Sequence, residues 1–98
     1  MINPYPLITI GMPCYNAEET ILRALKSALK QTWSNFEIVL VDDCSTDNTV
    51  DVIEKELQNT QGLNIKFVTN SVNKGPGFSR QRILDIASGE FLVFFDDD

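Results

Sequence analysis

The sequence predicts an α/β fold, a parallel sheet of four strands with three helices in three α/β/α layers. Two observations carry that reading. Strand-like and helix-like segments alternate, and connections of about ten residues or more suit right-handed crossovers between parallel strands. The strands are also almost continuously apolar, as expected of a sheet covered on both faces. A third observation concerns function: polar or conformationally special residues follow every strand, whereas the amino ends carry plainer sequence. Ligands of open parallel sheets bind outside the carboxyl ends of the strands.

The first strand is Leu7-Ile8-Thr9-Ile10-Gly11-Met12, a short apolar run closed by Pro13. Asn16 then reads as a helix cap, with Glu19 three residues later completing a capping-box-like pair. Ile21, Leu22, Leu25, Ala28 and Leu29 share one helical face, and Lys26 and Lys30 suit the negative end of the helix dipole. The second strand, Phe36 to Val41, is dense in β-branched and aromatic residues. Ser45, Thr46 and Asp47 are cap candidates for a second helix carrying Val50, Ile53 and Leu57. A polar turn from Asn59 to Gly62 leads into a third strand, Ile65 to Thr69. After a loop from Asn70 to Gly77, Pro76 suits the first turn of a helix running to about Ser88. Phe78, Ile83, Leu84 and Ala87 are expected inward, with Gly89 as the C-cap. Phe91 to Phe95 is the fourth strand.

Composition narrows the class. Ninety-eight residues make one domain at most, and 43% hydrophobic with 22% charged residues suits a globular chain. No apolar run approaches the roughly 20 residues of a membrane-spanning helix. The first residues lack the basic and apolar regions of a signal peptide. Eight Lys and Arg against fourteen Asp and Glu give a net charge of −6, which argues against nucleic-acid binding through a broad basic face. A phosphorylated ligand remains compatible, because a bound cation reverses the local sign. Cys14 and Cys44 are too few for a disulfide scaffold and, with no His, cannot complete an ordinary zinc site. They are read as filling small spaces in a reduced, cytoplasmic setting. The apolar run Phe91 to Phe95 followed by Asp96-Asp97-Asp98 looks cut rather than finished, so a longer parent protein is expected.

Four loops at one sheet edge make the candidate site. The carboxylates Asp96, Asp97 and Asp98 are hard oxygen ligands fit for Mg²⁺ or Mn²⁺, with open positions for a diphosphate. Asp43 is able to accept from the N–H groups of a nucleobase, and Tyr15 either packs locally or stacks on that base. Arg80 reaches either phosphate oxygens or a surface salt bridge, and Arg82 is read as a surface salt-bridge residue. The adjacent carboxylates Asp42 and Asp43 repel each other at the end of a buried strand, with no evident structural gain.

These residues closely resemble the opening of family 2 glycosyltransferases with the GT-A fold. The resemblance runs through Pro13-Cys14-Tyr15-Asn16-Ala17-Glu18, Gln31-Thr32-Trp33 and Phe36-Glu37-Ile38-Val39-Leu40-Val41-Asp42-Asp43-Cys44-Ser45-Thr46-Asp47-Asn48-Thr49. It continues with Asn73-Lys74-Gly75, with Ser79-Arg80-Gln81 where Ala-Arg-Asn is frequent, and with Gly89-Glu90-Phe91 before an Asp-x-Asp motif at Asp96-Asp97-Asp98. Each motif is weak alone; their order and spacing across essentially the whole chain are strong.

The resemblance implies a Rossmann-like GT-A half-domain, residues 1–98 being the nucleotide-sugar-binding part of an inverting enzyme. Pro13, Tyr15, Glu18, Asp43 and Arg80 would bind the nucleotide. Asp98 would hold the metal, with Asp96 and Asp97 nearer the ribose or the metal's outer shell. The donor would be a UDP-, GDP- or dTDP-linked sugar, and the acceptor a glycan or lipid-linked hydroxyl in cell-surface polysaccharide synthesis. The parent would work in the cytoplasm, at most peripheral to the inner face of the membrane. The general base of such enzymes is expected beyond Asp98, so this chain alone would bind donor without transferring sugar. Cys44, where Gly or Asn is common, and Gln81, where Asn is frequent, depart from the pattern.

Rivals fit less well. A dinucleotide-binding dehydrogenase wants Gly-x-Gly-x-x-Gly after the first strand, and Pro13 to Glu18 contains no glycine. A nucleotidyltransferase would favour a glycine-rich loop there too. A phosphoacceptor receiver would place its acidic pair after the first strand, whereas here it follows the second. A catalytically inert metal-nucleotide-binding module remains the non-enzyme alternative. A fourth strand at the sheet edge would also leave apolar surface open, so self-association is expected.

Overall fold

The computed structural model of the chain describes residues 5–31 and 33–95. Its elements are β1 (Ile8–Cys14), α1 (Ile21–Leu29), β2 (Phe36–Asp42), α2 (Thr49–Asn59), β3 (Ile65–Thr69), α3 (Pro76–Ile86) and β4 (Phe91–Phe94). All strand pairs are parallel, in the order β3-β2-β1-β4. The chain first builds outward from β1 through β2 to β3, then α3 carries it back so that β4 lies on the other side of β1.

Side chains alternate across a strand, and β2 uses both faces. Ile38 and Leu40 join Ile10, Met12, Ile21, Leu25, Ala28 and Ile53 in the core beneath α1 and α2. Val39 and Val41 face the opposite way and pack on Ile83 of α3, with Val68, Ile86 and Leu92 around them. The layers are therefore α/β/α, as expected. Full burial of one such aliphatic side chain contributes about 1.5–3 kcal/mol.

Several local expectations are corrected. β1 does not close at Pro13, which pairs in register with Val41. Pro13 points its backbone toward β4, whose pairing with β1 ends at Gly11 and Phe94, so its missing N–H costs no ladder bond. Neither Asn16 nor Glu19 caps α1; its N-cap is Thr20, preceded by a turn in which the amides of Thr20 and Ile21 donate to the Ala17 carbonyl. The N-cap of α2 is Asn48, while the Asp47 carboxylate accepts from the backbone N–H and hydroxyl of Thr49 one step inside.

On α3, Phe78 and Leu84 are outward, at 44% and 51% exposure. The inward stripe is Ser79, Ile83 and Ile86, with spacings of four and three residues, and Phe78 and Leu84 flank it. The helix ends at Ile86, with Ala87 as its C-cap. Gly89 instead serves close packing: a Cβ there would lie 2.6 Å from Thr9 Oγ1 and 2.7 Å from Thr9 N.

The amino edge is not plain. Glu37 is 1% exposed within β2. It accepts hydrogen bonds from Thr9 Oγ1 at 2.6 Å and Ser88 N at 2.6 Å, and pairs with Lys66 Nζ at 3.0 Å. Burial alone would raise its pKa, but these three donors outweigh it and hold the carboxylate below its ordinary value. The network pins the turn between α3 and β4, since Thr9 Oγ1 also accepts from Gly89 N at 2.9 Å.

Two glycines give a direct test of this packing. Gly89→Ala must displace backbone at Thr9 and is expected to cost about 1–3 kcal/mol, whereas Gly77→Ala, in open space within α3, is expected to be neutral or to stabilise by about 0.5 kcal/mol. Urea unfolding of the two variants measures both, and equal midpoints would contradict the packing described.

Candidate functional site

The carboxyl edge of the sheet carries a cleft of about 440 Å³. Pro13, Cys14 and Tyr15 at the end of β1 form one wall, Asp43 the floor, and Asn73, Gly75, Pro76, Ser79 and Arg80 the other wall. Tyr15 leaves 45% of its surface exposed there. Arg80, in the first turns of α3, holds its guanidinium carbon 5.9 Å from the centre of the Phe94 ring, a cation–π arrangement between α3 and β4. It is not in a salt bridge among the described residues.

The loops after β1 and β2 are knitted together. Asn16 adopts the left-handed region with φ of 48°, which Asn tolerates better than most residues. Its Oδ1 accepts from Thr46 N at 2.8 Å and Asp47 N at 3.3 Å, and its own N–H donates to Ser45 Oγ at 2.8 Å. Ala17 N donates to Thr49 Oγ1 at 2.7 Å. Cys44 also has positive φ, 61°. That accounts for Gly or Asn being suited to this position, since a side chain of another type there is strained by about 1–2 kcal/mol. The Cys44 thiol donates to the Ser71 carbonyl at 3.7 Å.

The two adjacent carboxylates do have structural roles, contrary to expectation. Asp42 is buried, accepting from Ser45 N at 2.9 Å and Ser45 Oγ at 2.6 Å, which shapes the turn after β2. Asp43 is 4% exposed and holds the loop before α3. Its Oδ1 accepts from Lys74 N and Asn70 Nδ2, each at 2.8 Å, and its Oδ2 accepts from Gly75 N at 2.8 Å. Burial would raise the Asp43 pKa, but the two backbone amides and the Asn70 amide outweigh that and lower it. Asp43 is thus held ionised by hydrogen-bond donors, and the donors to both carboxylates offset their mutual repulsion.

Pro13, Tyr15, Asp43 and Arg80 therefore share one cleft. Glu18 lies in a neighbouring hollow of about 290 Å³ with Asn16, Glu19 and Asp47, its backbone N–H 3.4 Å from Asp47 Oδ2. Asp96, Asp97 and Asp98 lie outside the described residues. Gln31 and Trp33 belong to the opposite edge, where the Trp33 indole donates to the Pro6 carbonyl at 3.0 Å. Among the described residues no group of three or more His, Cys, Asp or Glu is arranged to hold a metal.

Sequence reasoning missed Asn70 and gave Ser79 no function of its own. Asn70 is buried and its Nδ2 donates to both Asp43 and Ser79 Oγ, the latter at 3.0 Å. Its position directly after β3 was the available signal. Arg82 is in no salt bridge among the described residues: its Nη1 donates to Thr69 O at 2.7 Å and Asn70 Oδ1 at 2.9 Å.

Comparison with known proteins gives a consistent result. Residues 9–98 match the family model described as Glycosyl transferase family 2. The chain is 41% identical over 92 residues to the Escherichia coli UDP-Glc:alpha-D-GlcNAc-diphosphoundecaprenol beta-1,3-glucosyltransferase WfgD, covering 94% of this chain and 35% of that protein. A structure of S. aureus TarS 1-349 in complex with UDP-GlcNAc superposes with a TM-score of 0.82 at 40% identity, over 93% of this chain and 26% of that one. The mannosyltransferase PcManGT from Pyrobaculum calidifontis, in complex with GDP-Man and Mn²⁺, superposes with a TM-score of 0.90 at 28% identity, over 97% and 28%. These likenesses agree with the GT-A fold. The chain spans about a third of the length of WfgD and of two further curated relatives, and a smaller share of others.

The Asp43 anchor has a pH signature. Its folded pKa is lowered, so its contribution is present above the unfolded carboxylate value of about 3.9 and is lost as pH falls through the folded value. Asp43→Ala would leave three donors unmet and is expected to cost about 2–4 kcal/mol near neutrality, with a shallower acid loss than the parent. Urea unfolding between roughly pH 3 and 7 checks this, and parallel acid profiles would contradict it.

Proposed function

The chain belongs to glycosyl transferase family 2, and from that premise we propose that it is the donor-binding part of an inverting enzyme that moves a sugar from a nucleoside diphosphate to an acceptor hydroxyl. The observation that carries the reading is the cleft in which an ionised Asp43 lies between Tyr15 and Arg80. Asp43 would accept from a nucleobase N–H, Tyr15 would lie against the base, and Pro13 would line the nucleoside side. Arg80 and the amino end of α3 would meet phosphate oxygens. Glu18, in the adjoining hollow, would bear on the nucleotide's outer side.

The diphosphate needs a cation, since the chain carries a net charge of −6. Asp42 and Asp43 spend most of their oxygen lone pairs on protein donors, which makes them poor ligands. By the family resemblance that task falls to Asp96, Asp97 and Asp98, hard donors suited to Mn²⁺ or Mg²⁺. Asp98 would hold the ion and Asp96 and Asp97 would lie toward the ribose. A bound divalent ion would offset the charge of the departing diphosphate.

The acceptor base is assigned to a carboxylate beyond Asp98, so the chain alone binds donor without turnover. A glycan or lipid-linked acceptor, in cell-surface polysaccharide assembly at the cytoplasmic side of the membrane, completes the proposal. It is supported by WfgD, whose name specifies a diphosphoundecaprenol-linked acceptor. No helix among the described residues is long and apolar enough to cross a membrane.

Calorimetric titration of the chain with UDP, GDP and dTDP, each with and without Mn²⁺, tests the reading. Metal-dependent binding of at least one nucleotide is expected, weakened about tenfold or more by Tyr15→Ala and losing its metal dependence in Asp98→Ala. These variants are preferable to Asp43→Ala, which disturbs the loop. Binding unaffected by either would overturn the assignment, and so would appreciable sugar transfer by the chain alone. Sedimentation tests self-association through the β4 edge, where Phe91 and Val93 are exposed; a concentration-dependent rise in mass is expected, and a strictly monomeric profile would exclude it.

A further inference from the structure

Arg82 is outside the cleft, yet its contacts lead into it. Its Nη1 donates to Thr69 O and to Asn70 Oδ1, and Asn70 Nδ2 donates onward to Asp43 Oδ1. The Asn70 backbone is held as well, its N–H donating to the Asp42 carbonyl at 2.8 Å. A primary amide in that place has two orientations. One sets Oδ1 toward the guanidinium and Nδ2 toward the carboxylate. The other sets oxygen against carboxylate and N–H against guanidinium, and is repulsive at both ends. The cation on one side and the anion on the other therefore fix a single orientation.

That orientation determines how much of Asp43 remains for a ligand. A carboxylate has about four lone-pair sites. Asn70 Nδ2 and Lys74 N fill both sites on Oδ1, and Gly75 N fills one on Oδ2. One acceptor site is left, on Oδ2. Uracil and thymine present a single N–H donor at N3, between two carbonyls, and match it. Guanine presents two adjacent donors, at N1 and N2, and the second would meet an oxygen already saturated.

We propose that Arg82 is a positioning residue that, through Asn70, limits Asp43 to one acceptor and so makes the cleft select uracil or thymine over guanine. This rests on the nucleotide-binding reading above. Without the guanidinium, Asn70 Oδ1 loses its donor and only Asp43 and Ser79 Oγ, both through Nδ2, still orient the amide. Its hold on Asp43 Oδ1 loosens, and the carboxylate comes closer to offering one acceptor on each oxygen. The two-donor edge of guanine then fits better than before.

The test is calorimetric titration of the chain and of Arg82→Gln and Arg82→Lys with UDP and GDP in Mn²⁺, reading the ratio of the two dissociation constants. The parent is expected to bind UDP about tenfold or more tighter than GDP, the scale of one unmade hydrogen bond. In Arg82→Gln that preference is expected to shrink by at least about threefold, while Arg82→Lys, which keeps the charge, retains most of it. An equal loss for both nucleotides would mean that Arg82 only supports the fold and would overturn the proposal. A parent that prefers GDP would overturn it as well. A parent that binds neither nucleotide would instead sink the nucleotide-binding reading on which it rests. Should Arg82→Gln not fold, Asn70→Ser supplies the same comparison: it shortens the relay and is expected to narrow the preference, and an unchanged ratio would refute the proposal.

Discussion

A carboxylate removed from water must be met by donors, and at the end of β2 that requirement organises the whole carboxyl edge. Asp43 cannot be buried unless the chain after β3 returns to it, bringing Asn70, Lys74 and Gly75 within reach. Gly75 does so at φ of 92°, a conformation that suits glycine, and Pro76 immediately starts α3. The position of α3, and with it Ser79 and Arg80, is thus tied to one side chain of another strand. Asp42, its neighbour, performs the corresponding service for the turn that follows β2, through Ser45.

The opposite edge solves a similar problem with different partners. Glu37 is met by a hydroxyl, a backbone amide and an ammonium group from three separate segments. Here the buried anion has a counter-charge, and its network closes the turn from α3 into β4. The two ends of β2 therefore hold the two ends of α3. Between them, Val39 and Val41 supply apolar contact with Ile83 but little to fix the angle of the helix.

The strands and helices were legible because burial on both faces writes apolar runs into a sequence, and helical faces repeat with a fixed period. The gathering of Pro13, Tyr15, Asp43 and Arg80 followed from parallel topology alone. What escaped was pairing over distance. Asn16 looked like a cap because a cap is a local explanation, whereas its partners Thr46 and Asp47 lie 30 and 31 residues away. Phe78 and Leu84 misled because α3 meets the sheet through a narrow stripe that includes a polar residue, Ser79. Glu37 sat unnoticed in an apolar run, since nothing local announces that Thr9, Lys66 and Ser88 converge on it. Asp42 and Asp43 look like a repulsive pair in the sequence because their donors come from loops whose paths the sequence does not state.

The strand order also bears on how the molecule comes into being. Residues through β3 assemble by successive neighbouring crossovers, each closing a modest loop. β4 is different: its approach brings Gly89 to Thr9 across 80 residues of chain. Closing so long a separation carries a larger entropic cost, and contacts of that kind slow folding. The β3-β2-β1 unit is thus the natural early product of folding. The contact of Arg80 with the Phe94 ring forms only when β4 docks, so it belongs with the last steps, whereas the residues that line the cleft all lie outside β4.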